Sequence, residues 1–174
     1  RRPGTVVALV LALSFGLCSA LTPALAQSDD FERLKATVEK TRQAGKKDDL
    51  ALKLYTLGQT LAEARKFEEA LTYLREALSV DRGLAKSKEV FNDLIAIARV
   101  ETHAKQFEQA EKTYLEALAV AKDTGSEKQL ASVYAGLGAN AIHAKKFEEA
   151  RTFYEKSREE AARSSDYVGE CQAR

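Results

Sequence analysis

The sequence predicts an all-α fold, an α-solenoid of antiparallel helix pairs, and three observations carry that prediction. KFEEA stands at 66–70 and again at 146–150, with QFEQA midway at 106–110, so Phe67, Phe107 and Phe147 recur every forty residues. Only two of the 174 residues are proline, while Ala, Leu, Glu, Lys and Arg abound, which is the composition of long helices. Within each forty-residue unit the apolar residues form two stripes at helical spacing. A fixed period of this length implies stacked units, none of which buries its apolar face alone.

The chain opens differently from everything after it. Arg1 and Arg2 precede the uncharged run TVVALVLALSFGLCSALT, then Pro23 and ALAQ at 24–27. A positive start, an apolar middle and small residues at Ala24 and Ala26 read as a secretory signal peptide over 1–26, cleaved after Ala26. That reading predicts a periplasmic or secreted protein. An uncleaved membrane anchor is the alternative, because the run approaches the roughly 20 residues of a span. Lipid attachment at Cys18 is disfavoured by the bulky Leu17 before it. Cleavage would leave Cys171 as the remaining cysteine, so no intrachain disulfide is expected.

Residues 27–47 follow as an N-terminal capping helix, with Phe31, Leu34 and Val38 on one face. Three repeats come next, at 48–86, 87–125 and 126–164. In the first, Leu50, Leu54, Leu57 and Leu61 mark one helix, and Phe67, Ala70, Leu71, Leu74 and Leu78 mark the second. The join EARK at 63–66 leaves room only for a tight turn, so the two helices fold back antiparallel. Asp48, Asp49 and Ser87 stand at helix starts, and Ser126 with Gln129 spells a capping box. Gly45, Gly83 and Gly125 fall where helices should end. Small residues recur at matching places, Gly58, Ala98 and Gly138 on first helices and Ala70, Ala110 and Ala150 on second ones. Such positions let two backbones approach while Leu57, Leu74 and Tyr114 interlock around them. Residues 165–174 are expected to begin a fourth, truncated repeat.

These residues carry a resemblance. Leu54-x-x-Leu57-Gly58-x-x-Leu61 followed by Phe67-x-x-Ala70-x-x-x-Leu74-x-x-Ala77-Leu78 resembles the tetratricopeptide repeat. The third copy keeps Tyr134, Leu137 and Gly138, then Phe147, Ala150 and Tyr154. The second is looser in its first helix, at Leu94, Ile97 and Ala98, and complete in its second. The forty-residue period exceeds the usual 34 and is similar to a long-period branch of the family. The resemblance implies a right-handed superhelix whose first helices line a concave, peptide-binding groove. Carried over by position, that groove presents Tyr55, Gln59, Asn92, Ile95, Arg99, Ser132, Ala135 and Ala139. The Lys, Asn and Arg clamp that some members use for a terminal carboxylate is absent. Tyr55, Gln59, Ala96, Ser132 and Gly136 stand at its places.

Chemistry is thin elsewhere. No nucleophile motif, phosphate loop or metal cluster stands out, so neither catalysis, nor a cofactor, nor a metal is expected. His103 and His143 occupy equivalent positions, but neighbouring repeats pack about 8–10 Å apart, too far for a shared ion without further ligands. Glu68, Glu69, Glu148 and Glu149 sit in first helical turns, where the helix dipole accounts for them. Twenty-seven basic against twenty-six acidic residues argue against a nucleic-acid partner. The expected role is therefore an exported scaffold that binds a protein or peptide in its groove. The alternative is the N-terminal recognition arm of a larger bacterial enzyme, such as a caspase-like peptidase. Self-association through the terminal repeat is a further expectation.

Overall fold

A computed structural model describes the backbone of residues 30–172 and the side chains of residues 30–164. The expected signal peptide, with Cys18, and the side chain of Cys171 lie outside those limits. No described helix is long and apolar enough to cross a membrane. The described backbone is all α-helical. Helix α1 spans 30–43. Then follow α2 (Lys47–Glu63), α3 (Phe67–Gly83), α4 (Ser87–His103), α5 (Phe107–Thr124), α6 (Glu127–His143) and α7 (Phe147–Gln172).

The joints explain the regularity. A residue in the left-handed region recurs every twenty positions: Gly45, Arg65, Ala85, Lys105, Gly125 and Lys145, with φ between 55° and 69°. At the first joint inside a pair, Arg65 N–H donates to the Ala62 carbonyl and Lys66 N–H to that of Leu61. These two bonds close the preceding helix. The Lys66 carbonyl then accepts the Ala70 N–H, the first bond of the next helix. One residue thus ends one helix and starts another, which leaves no slack and sets the antiparallel return. The same pattern repeats at Lys86, Gln106, Ser126 and Lys146.

Joint geometry corrects three sequence expectations. Gly83 is the last residue of α3, and the left-handed turn falls on Ala85. The reason is register, because Lys86 N–H must reach the Asp81 carbonyl. Ser87 likewise lies inside α4, with Lys86 at the cap and no side-chain capping bond. Ser126 does cap α6, accepting the Gln129 N–H at 3.3 Å. The Gln129 side chain does not reach back to close a capping box, and its Oε1 accepts from Thr124 Oγ1 instead.

Packing follows the small residues. Ala70, Ala98 and Ala110 are fully buried, as are Leu57 and Leu74. A Cβ built at Gly58 would lie 2.6 Å from Leu74 Cγ, and one at Gly138 would lie 3.0 Å from the Tyr154 ring. A side chain at Gly58 would have to displace Leu74, and one at Gly138 would have to shift the Tyr154 ring by a few tenths of an ångström. Helix α1 occupies the register of a second helix, since Arg42 pairs with Glu76 just as Arg82, forty residues on, pairs with Glu116. The opening phenylalanines are less uniform than their spacing suggests. Phe67 is half-buried and stacks on His103 at 6.5 Å, whereas Phe147 is 65% exposed. Burial at this place comes from the following pair, and no described pair follows α7. That helix also continues unbroken past residue 165, where a fourth repeat was expected to open. No residue in the left-handed region interrupts it.

Candidate functional site

Curvature selects the working face. First helices α2, α4 and α6 approach one another closely in sequence, α2 to α4 and α4 to α6, as well as packing on the second helices beside them. Second helices α3 and α5 make no such backbone approach, and long side chains bridge them, as Arg82 does to Glu116. The side with the closer helices is the concave one. All eight groove residues stand on those three helices: Tyr55 and Gln59 on α2, Asn92, Ile95 and Arg99 on α4, Ser132, Ala135 and Ala139 on α6.

The structure divides them into three groups. Tyr55 and Asn92 line a hollow of about 440 Å³ between the N-terminal halves of α2 and α4. Gln59 and Arg99 line a second, of about 250 Å³, between the C-terminal halves, together with Glu63 and His103. The two hollows are tied by a hydrogen bond from Gln59 Nε2 to Tyr55 Oη, at 2.7 Å. Ile95 is half-buried and packs against the core. Ser132 is exposed, and Ala135 and Ala139 are half-buried; none of the three lines either hollow. Nearby on α6 the Tyr114 ring presses on the helix at Gly136, with Cε1 2.4 Å from where a Gly136 Cβ would lie.

The first hollow contains residues that sequence reading passed over. Asp81, near the end of α3, and Asp93, on α4, are 5% and 2% exposed and both line it. Their carboxyls are close enough to share a hydrogen bond when one is protonated. Asp81 Oδ1 and Asp93 Oδ2 have no other partner. Burial, then the neighbouring Asp81 carboxylate, push Asp93 up to about 7. Burial also raises Asp81, against the pull of Lys86. Desolvation raises the Tyr55 phenol, and Asp93 raises it further. At the rim, Lys86 forms an ion pair with Asp48. A signal for this site was available in the repeats. Forty residues on, Asp81 and Asp93 correspond to Ala121 and Val133, both fully buried. Two acids where another copy places buried apolar groups depart from what packing requires.

Elsewhere polar groups are spent on holding repeats together. Glu101 is fully buried and accepts from Arg75 Nη2 at 2.9 Å and Thr113 Oγ1 at 2.7 Å. Asn140 donates to the Phe107 carbonyl at 2.9 Å and accepts from Thr102 at 3.0 Å, linking α6 to the second pair. The His103 and His143 rings lie edge to face at 6.4 Å, continuing a line of rings that starts at Phe67. Among the described residues no group of three or more His, Cys, Asp or Glu side chains is arranged to hold a metal ion.

Known proteins support the same architecture. The tetratricopeptide repeat family matches residues 91–162 and residues 50–80, together more than half of the chain. No curated protein matches it in sequence. Among solved structures, the TPR domain of Arabidopsis FLU is 18% identical at TM-score 0.61, covering 69% of this chain and 98% of that one. BtubC (BKLC) from P. vanneervenii is 20% identical at TM-score 0.66, covering 79% of this chain and 58% of that one. A Podosopora anserina putative kinesin light chain with nearly identical TPR-like repeats is 15% identical at TM-score 0.68, covering 79% and 68%. At such identities the likeness is one of fold.

Proposed function

Because this chain is a tetratricopeptide-repeat protein, we propose that it serves as a non-enzymatic scaffold, binding a protein or peptide segment along the α2/α4 face. The observation that carries the reading is the pair of linked hollows on that face. They lie in line along α2 and α4, with Tyr55 and Asn92 at one and Gln59 and Arg99 at the other. Side-chain-sized recesses set along a shared face are what an extended or helical segment needs in order to be read residue by residue. Export is part of the proposal and rests on residues 1–26. The partner is then met outside the cytoplasm.

Site-specific crosslinking tests this. A photoreactive residue placed at Asn92 or Gln59 is expected to yield adducts with a partner, whereas one at Glu116, on the opposite side, is expected to yield none. Adducts from Glu116 alone, or none from any position, would sink the proposal.

A further inference from the structure

The hollow between α2 and α4 is acidic and incompletely satisfied. Asp48, Asp49 and Glu89 join Asp81 and Asp93 around it, against Lys86 and Lys88. Lys86 is committed to Asp48. Asp81 and Asp93 are nine-tenths or more buried, yet each keeps a carboxylate oxygen without a partner. Buried acceptors in that condition are costly, and the repeat has a cheaper solution in Ala121 and Val133. The cost is explained if a donor arrives from outside.

The shape narrows what that donor is. Ala51, Leu52 and Tyr55 give the hollow an apolar wall, with Leu52 66% exposed at its mouth. A side chain that enters must therefore combine an apolar stem with a cationic head. Two separate carboxyls demand donors in more than one direction. A guanidinium offers five N–H groups in a rigid plane, sheds water more readily than an ammonium and stacks on aromatic rings. The second hollow lies on the same α2/α4 face, on the other side of the Tyr55–Gln59 hydrogen bond, so an occupant that reaches both belongs to a longer segment.

We propose that this hollow is an arginine pocket, in which an arginine side chain of the partner segment places its guanidinium against Asp81 and Asp93. The inference rests on the protein-binding reading and names the residue that such a partner must carry. In the free protein one proton held between the two carboxyls offsets that cost only in part, because the pair still carries one negative charge among buried groups. The incoming cation replaces that proton, so binding releases it to solvent. Asp48, Asp49, Tyr55, Lys86, Lys88 and Glu89 face the pair from α2, α4 and the joint before α4, and none of them is buried as Asp81 and Asp93 are.

Panning random peptides against the full chain tests the pocket. Enriched peptides are expected to share an arginine at one fixed position. Titration calorimetry should then show binding weakened about ten-fold or more by the double change Asp81→Asn and Asp93→Asn, and equally by citrulline in place of that arginine. In mildly acidic buffer the heat should vary with the buffer's own ionisation enthalpy for the native protein and not for the double variant. Both asparagines remove a buried charge, so the variant should keep its helical circular dichroism. Enriched peptides without a basic residue, or with affinities untouched by the double change, would overturn the arginine pocket and leave peptide binding standing. A panning that enriches nothing would overturn both.

Discussion

Two glycines that look alike in sequence should respond oppositely to the same methyl group. Gly83 lies in ordinary helical conformation, and a Cβ there would meet nothing within 4 Å. Gly83→Ala should stabilise the protein by about 0.5–1 kcal/mol in urea unfolding, because alanine loses less backbone freedom on folding. Gly58→Ala drives a Cβ to 2.6 Å from Leu74 Cγ and should cost about 1–3 kcal/mol despite the same propensity gain. The aspartate pair makes a second prediction. Asp93 moves from 3.8 to about 7 on folding, so the folded chain holds a proton that the unfolded chain has lost. Stability from this group is therefore whole below about pH 4 and is lost as pH rises through 7. The melting temperature should fall between pH 5 and pH 8 in the native chain, and Asp93→Asn should flatten that fall. A flat native profile would remove the shared proton.

Helices of this length meet through few polar contacts, and those can be weighed singly. Glu101 on α4 joins Arg75 of α3 to Thr113 of α5. Its counterparts in the other copies are Leu61 and Ala141, both buried. Glu101→Ala should cost about 2–3 kcal/mol, chiefly through the void. Glu101→Leu refills that space with the residue the first copy uses and should stay within about 1 kcal/mol of native, since buried charge pairs contribute little over an apolar replacement. Chemical denaturation of both variants decides it, and equal losses would show that the charge itself matters. The exposed pairs between second helices, such as Arg42 with Glu76, belong to the class worth only about 0–1 kcal/mol each.

From α2 to α7 each helix touches its sequence neighbours and, among first helices, the next of its kind. Stability in such an array is a sum of local terms, so opening should be graded rather than all-or-none. Helices α3, α4 and α5 have described neighbours on both sides, while α7 packs on α6 alone. Amide hydrogen exchange should be slowest in α3 to α5 and faster in α1 and α7. Uniform protection along the chain would contradict this. The same locality explains how much was legible beforehand. Helices, joints and small-residue contacts depend on neighbours within one period, and the sequence displays them three times over. The pairing of Asp81 with Asp93 spans a joint and lies between two helices that each look ordinary.

The periodic part was therefore readable along the chain: apolar stripes for seven helices, their antiparallel return and the alanines and glycines where backbones meet. Repetition makes those features visible because the same packing problem is solved with nearly the same residues each time. Which groove positions open onto a hollow was settled by the fold, which sets Tyr55, Asn92, Gln59 and Arg99 at hollows and leaves Ala135 and Ala139 half-buried. It also moved the turn from Gly83 to Ala85 and left Phe147 uncovered. Exposure, hollow and buried charge are set by what the neighbouring helix brings, and no single stretch of sequence contains that neighbour.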